Sequence, residues 1–174
     1  MRILFIGGAG FIGSSLVKEF LKDSNYEVFI VEPSFANVSR LDGLDVTIIR
    51  ESLTNVEALE KILADNDIQT VVHLVSTLIP GSGYDDFNRE FQNMIFPSIR
   101  LMEFCAKKNI KFVYFSSGGT IYGNRNDMKP FVETDEQKPI SYYGWSKQMM
   151  ENAILFKNRT ERLKYLIVRP SNPY

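Results

Sequence analysis

Apolar residues in this chain gather in short runs, separated by longer stretches in which they recur every three or four positions. Arg2 to Ile6 is an apolar run ended by glycine, the pattern of a strand buried on both faces. Phe11 to Lys22 carries Ile12, Leu16, Val17, Phe20 and Leu21 at helical spacing. Further strands are predicted over Glu27 to Val31, Asp45 to Ile49, Thr70 to Val75, Lys111 to Ser116 and Lys164 to Val168. Thr54-Asn55-Val56-Glu57 reads as a capping box that opens a helix running to about Ala64. Asp85 to Lys108 shows an apolar stripe at Phe87, Phe91, Met94, Ile95, Ile99, Met102 and Cys105, with Pro97 inside it to bend or interrupt the helix. Asn124 to Pro139 is polar and reads as a loop, and Ser141 to Asn158 as a helix.

Strands alternating with helices predict an α/β fold: a doubly wound parallel sheet of the Rossmann type, with helices on both faces and right-handed crossovers. No repeat, low-complexity segment or linker divides the chain, so residues 1–174 read as one domain.

The first strand and helix enclose Gly7-Gly8-Ala9-Gly10-Phe11-Ile12-Gly13. In such a loop Gly7 permits the tight turn, Gly10 lets the backbone approach a pyrophosphate, and Gly13 lets helix and strand pack closely. The phosphates lie at the helix N-terminus, beside Phe11 and Ile12, where free N–H groups and the helix dipole favour negative charge. Glu32 ends the next strand, about 20 residues on, where an acid binds the adenosine ribose hydroxyls. Its charge repels a 2′-phosphate, so NAD is expected over NADP; Arg40 is the nearest residue that argues otherwise. A solvated strand end is the other reading of Glu32.

Composition narrows the chemistry. A net charge of −1 gives no nucleic-acid footprint, and no segment reads as a membrane span. The apolar start is followed at once by glycines and reads as a strand, not a signal peptide. One cysteine, Cys105, cannot form an internal disulfide, which suits a cytoplasmic protein; it falls on the apolar stripe and reads as core. One histidine, His73, at the end of an apolar strand, reads as packed, and one His with one Cys makes no usual zinc site.

Tyr143 and Lys147 lie four apart and share a helix face. A free phenol ionises near pH 10 and is a weak base at neutrality, but a neighbouring ammonium stabilises the phenolate. Tyr143 could then take a proton from an alcohol whose carbon gives hydride to the cofactor. An exposed lysine beside a buried tyrosine would give the same spacing.

Taken together, these motifs resemble the extended short-chain dehydrogenase/reductases of the NAD-dependent epimerase/dehydratase family, from end to end of the chain. Gly7 to Gly13 matches the Gly-x-x-Gly-x-x-Gly loop, and Val72-His73-Leu74 the strand that closes on the cofactor. Asn93 lies where the family has its structural active-site asparagine, which implies a place beside the cofactor. Phe112 to Gly123 resembles the segment leading to the active site, Tyr143-Gly144-Trp145-Ser146-Lys147 the catalytic motif, and Arg169 to Tyr174 the run toward the substrate side.

The resemblance implies an NAD-dependent nucleotide-sugar epimerase similar to UDP-glucose 4-epimerases. Tyr143 would deprotonate the C4 hydroxyl, Lys147 would hold the nicotinamide ribose, and the keto sugar would turn before hydride returns to its other face. It also implies a homodimer through the 85–108 and 141–158 helices, and a C-terminal part beyond this chain that holds most contacts to the nucleotide sugar. Residues 1–174 are therefore expected to bind cofactor with little turnover alone. Two departures stand out. The position four before Tyr122, where the family carries a catalytic Ser or Thr, is Gly118; Ser117 or Thr120 is expected to substitute, with Thr120 preferred. Gly118, Gly119 and Thr120 stand where 4,6-dehydratases carry Thr-Asp-Glu, which argues against that elimination. The alternatives are a reductase of a nucleotide-linked keto sugar and a non-catalytic NAD-binding module.

Overall fold

The structure, a computed structural model, describes residues 1–125 and 129–171. Three residues of the polar 124–139 loop, and Asn172, Pro173 and Tyr174 of the substrate-side run, lie outside the described residues. Six strands, β1 (Arg2–Ile6), β2 (Glu27–Glu32), β3 (Thr47–Arg50), β4 (Thr70–His73), β5 (Lys111–Phe115) and β6 (Tyr165–Val168), form one parallel sheet in the order β3-β2-β1-β4-β5-β6. The helices are α1 (Phe11–Phe20), α2 (Val56–Asp65), α3 (Tyr84–Glu90), α4 (Phe96–Lys107) and α5 (Tyr142–Glu161).

The strand order reverses between β1 and β4. Right-handed crossovers then place the helix after β1 on one face and those after β3, β4 and β5 on the other. The packing follows. Leu4, Ile6, Val71, Phe112 and Tyr114 pack with Leu59, Leu101, Met102, Cys105, Met150 and Ile154 on one face. Ile3, Phe5, Val28, Ile30 and Val72 pack with Val17 of α1 on the other. The crevice at the carboxyl ends of β1 and β4 is the switch point where doubly wound sheets bind ligands.

Two local expectations change. Helix α2 is capped by Asn55, whose side chain accepts from the Ala58 N–H at 3.4 Å. Thr54 does not cap it, because its hydroxyl pairs with Ser52 Oγ at 2.7 Å, so the capping box does not form. The 85–108 stretch is broken before Pro97, not at it. A π-helical turn over Phe91–Ile95 joins α3 to α4, with the Phe96 N–H donating to the Phe91 carbonyl five residues back. The proline ring collides with the carbonyl four residues before it. The wider turn shifts that carbonyl's register and brings Asn93 to the surface of a cavity.

Candidate active site

The glycine loop is shaped by what it leaves out. Gly7 has φ +85°, open to glycine at little strain. A Cβ on Gly13 would lie 2.6 Å from the Gly8 carbonyl oxygen and 2.7 Å from its Cα, so α1 meets the loop at backbone contact. Gly10 starts α1 in extended conformation and has no side-chain cap, which leaves the first-turn N–H groups to an anion. These are the properties a pyrophosphate needs, and the residues present fit a dinucleotide. Gly8 has a role that spacing did not reveal: a Cβ there would come within 2.8 Å of Ile30 and 2.9 Å of Phe5.

Two cavities open here. One, of about 310 Å³, is lined by Gly7, Gly10, Phe11, Ile12 and Gly13 on one side and by Ser76, Ser116, Tyr143 and Lys147 on the other. The second, of about 360 Å³, is lined by Glu32, Asn93, Leu53, Thr77 and Glu90 among others. They share a wall. Ile6 faces one and Gly7 the other, and residues 74–78 alternate between them. The residues expected to hold the cofactor thus fall into two neighbouring hollows, as the two ends of a dinucleotide require.

Glu32 is not a solvated strand end. It is buried, and one carboxylate oxygen accepts the Ala9 N–H at 2.6 Å. Burial raises its pKa above the usual carboxylate value, against the opposing Ala9 hydrogen bond and the Arg50 charge. A single acid therefore ties the end of β2 to the glycine loop and lines the second cavity.

Across the cleft, α5 begins at Ser141, whose hydroxyl accepts the Gly144 N–H at 3.1 Å. That start puts Tyr143 and Lys147 on the face that lines the first cavity. Lys147 is 3% exposed. Its ammonium donates to the Phe115 carbonyl at 3.1 Å and lies 5.5 Å from the Tyr143 ring centre. Burial pushes the lysine down to about 8, with the Glu90 charge opposing. The exposed-lysine reading of the spacing is therefore excluded.

The serine segment behaves differently from expectation. Ser116 lines the cleft, and its hydroxyl is buried with no hydrogen-bond partner. Ser117 is buried, and Thr120 has a buried, unpartnered hydroxyl, but neither lines this cavity. The cause is backbone pairing. The Gly118 N–H donates to the Pro170 carbonyl at 2.8 Å, so residues 117–119 run beside 169–171 instead of turning into the cleft. A Cβ on Gly118 would stand 2.8 Å from the Arg169 carbonyl oxygen.

Two buried acids that the sequence did not single out, Glu151 and Glu90, lie on the elements around the site. Glu151 is fully buried and takes a two-point contact from Arg169, at 2.9 and 2.6 Å, and one from Gln137 at 2.6 Å. Arg169 also donates to the Tyr122 hydroxyl at 2.6 Å and the Glu133 carbonyl at 2.9 Å. Glu90 is buried beneath Ser76 and Thr77. The signal that could have found it is an acid set between Phe87 and Phe91 on the apolar stripe. His73 is core, as its strand position suggested: Nε2 shares a hydrogen bond with Ser98 Oγ at 2.9 Å, and burial pushes the ring down to about 3. Cys105 is also core, its thiol pushed up by burial. Among the described residues no cluster of three metal-ligating side chains exists, and no helix is long and apolar enough to cross a membrane.

Residues 3–174 match the family model described as the NAD dependent epimerase/dehydratase family. A UDP-glucose 4-epimerase of Lactobacillus helveticus is 28% identical over 173 residues, which cover 99% of this chain and 52% of that protein. A dTDP-4-dehydro-6-deoxyglucose reductase of Escherichia coli is 29% identical over 182 residues, covering 99% of this chain and 55% of that protein. The crystal structure of a Thermotoga maritima UDP-glucose 4-epimerase with UDP-glucose superposes with a TM-score of 0.87 at 32% identity, over 97% of this chain and 55% of that one. A Thermus thermophilus UDP-glucose 4-epimerase in complex with NAD gives a TM-score of 0.87 at 27% identity, over 97% and 54%. The chain spans about half the length of the curated relatives it matches.

Proposed function

The chain belongs to the NAD dependent epimerase/dehydratase family, and on that premise we propose that residues 1–174 are the cofactor half of an NAD-using nucleotide-sugar 4-epimerase acting on a UDP-sugar. The observation that carries this reading is that Tyr143 and Lys147 face Gly7, Gly10 and Gly13 across one cavity. NAD, when bound, supplies the hydride acceptor. The first turn of α1 binds the pyrophosphate, and Glu32 and Asn93 line the hollow for the adenosine end. Tyr143 takes the proton of the sugar hydroxyl, with the Lys147 ammonium 5.5 Å from its ring centre. Ser116, which lines this cavity and has a buried hydroxyl unpartnered among the described residues, orients the reacting hydroxyl in place of the family side chain missing at Gly118.

In the whole protein a following part reads the nucleotide sugar, the working form is a homodimer through the α3–α4 and α5 faces, and the compartment is the cytoplasm. Supporting the dimer, Phe96, Trp145 and Phe156 are exposed on those helices. Full-length protein given NAD and UDP-glucose is expected to equilibrate the C4 epimers with no net cofactor reduction. Tyr143→Phe is expected to lower turnover about a hundred- to ten-thousand-fold without loss of NAD binding. A second reading, reduction of a nucleotide-linked keto sugar, draws on the similarity to the E. coli reductase. Stoichiometric consumption of NADH by such a substrate would replace the epimerase with it. Binding of NAD with no turnover of either kind would leave a non-catalytic module.

A further inference from the structure

We propose that Glu90 is a positioning residue for the lysine–tyrosine pair: its carboxylate clamps Ser76 and Thr77 into the wall between the two cavities and serves as the buried counter-charge that keeps Lys147 an ammonium. Glu90 closes α3 just before the π-helical turn and is 1% exposed. It accepts the Ser76 hydroxyl at 2.8 Å, the Thr77 N–H at 2.9 Å and the Thr77 hydroxyl at 2.5 Å. Ser76 lines the cavity that holds Lys147, and Thr77 lines the other, so one carboxylate fixes both sides of the partition.

Among the described residues no cation pairs with Glu90 within 4.0 Å. A buried carboxylate without such a partner is costly unless donors and a more distant charge offset its lost hydration. The three donors are present, and Lys147 is the cation that feels its field. The lysine in turn donates to the Phe115 carbonyl, its one hydrogen-bond partner among the described residues. The titratable groups around it are Tyr143 on its own helix, Tyr114 on β5 with its ring 5.2 Å away, His73 on β4, and Glu90. Burial keeps the His73 ring neutral and pushes the Tyr114 phenol further from ionising. Glu151, the other buried acid on this side, is engaged by Arg169. Glu90 is thus the acid left to oppose the burial that disfavours the ammonium.

What the pair is used for rests on the proposed function, but the coupling does not, so the test reads Lys147 in ligand-free protein. The Lys147 titration midpoint is followed by NMR of ¹³C-labelled lysines, assigned with Lys147→Arg. Glu90→Gln is expected to lower it by about half a pH unit or more. Glu90→Met, which carries no polar group, gives a second neutral substitution if the amide does not fold. Thr77→Val removes one bond of the clamp and keeps the charge, and is expected to leave the midpoint in place. A midpoint unchanged in a folded neutral variant, or moved as far by Thr77→Val, overturns the proposal. If native protein binds no NAD while Glu90→Gln still lowers the midpoint, the functional reading fails and this one stands.

Discussion

The two walls of the cleft are made of different material. The glycine wall is backbone: Gly7 and Gly13 act by lacking side chains, and a Cβ at either would strike its surroundings within 2.9 Å. The opposite side presents Lys147 to the cleft and is backed by further charge, with Glu90 and Glu151 buried and Arg169 half-buried. Lys147, Glu90, Glu151 and Arg169 arrive from α5, α3 and the end of β6, and each depends on partners distant in the chain. A backbone site tolerates any neighbour that leaves its space empty. A charged wall fails when one member is removed, because the remaining charge stays buried.

The largest effect should therefore come from the charged wall. Among the described residues, Glu151→Ala leaves the Arg169 guanidinium half-enclosed with Tyr122 and the Glu133 carbonyl as its acceptors. It is expected to cost about 4 kcal/mol in urea unfolding. Replacing both partners by Met should recover most of that loss, since the pair's value lies in mutual neutralisation. A loss below about 1 kcal/mol for the single variant would mean that the network does not hold this wall together.

His73 sharpens the comparison through pH. Its folded value of about 3 lies below the free value of 6.5. Between the two, the unfolded chain binds the proton and the folded chain does not, so stability is complete above 6.5 and falls as pH drops toward 3. Two pH units below the free value the loss is on the order of 3 kcal/mol. His73→Gln, which retains a partner for Ser98, should flatten this acid slope in melting temperatures while leaving the glycine wall unaltered.

The same contrast explains what could be read from the chain. The strands, the helices, the loop at 7–13 and the face shared by Tyr143 and Lys147 were legible, because period and glycine spacing are local. The capping of α2 was misread because Ser52 competes for Thr54. That Ser117 and Thr120 do not line the cavity was not legible, because the Gly118 N–H pairs with the Pro170 carbonyl, about fifty residues away. Glu90 was hidden by its type: a carboxylate on an apolar stripe reads as an exception until Ser76 and Thr77 are seen above it.

On the glycine wall, Gly13→Ala is the cleanest probe. Its Cβ meets only backbone, the Gly8 carbonyl at 2.6 Å and the Gly7 carbonyl at 2.8 Å, and no side chain can rotate away. The expected cost is about 2 kcal/mol in stability, with NAD affinity reduced about tenfold or more because the shift displaces the N–H groups of α1. Calorimetric titration would show it. Retained affinity would mean that the loop is softer than its contacts imply.

The smallest effect on stability, and the most specific on chemistry, is expected where the two walls nearly meet. Ser116→Ala removes a buried hydroxyl that has no partner in the ligand-free protein. Stability should change by no more than about 0.5 kcal/mol, because no hydrogen bond is lost. Turnover of the full-length protein should nonetheless fall about tenfold or more, since Ser116 lines the same cavity as Tyr143. Gly118→Ser is the complement. It restores a hydroxyl where the family carries one, but its Cβ presses the Arg169 carbonyl, at 2.8 Å. It should cost about 1 kcal/mol and add no activity. If Gly118→Ser raised turnover and Ser116→Ala left it unchanged, the working hydroxyl would lie at the family position, and the backbone pairing of residues 117–119 with 169–171 would have to open during the reaction.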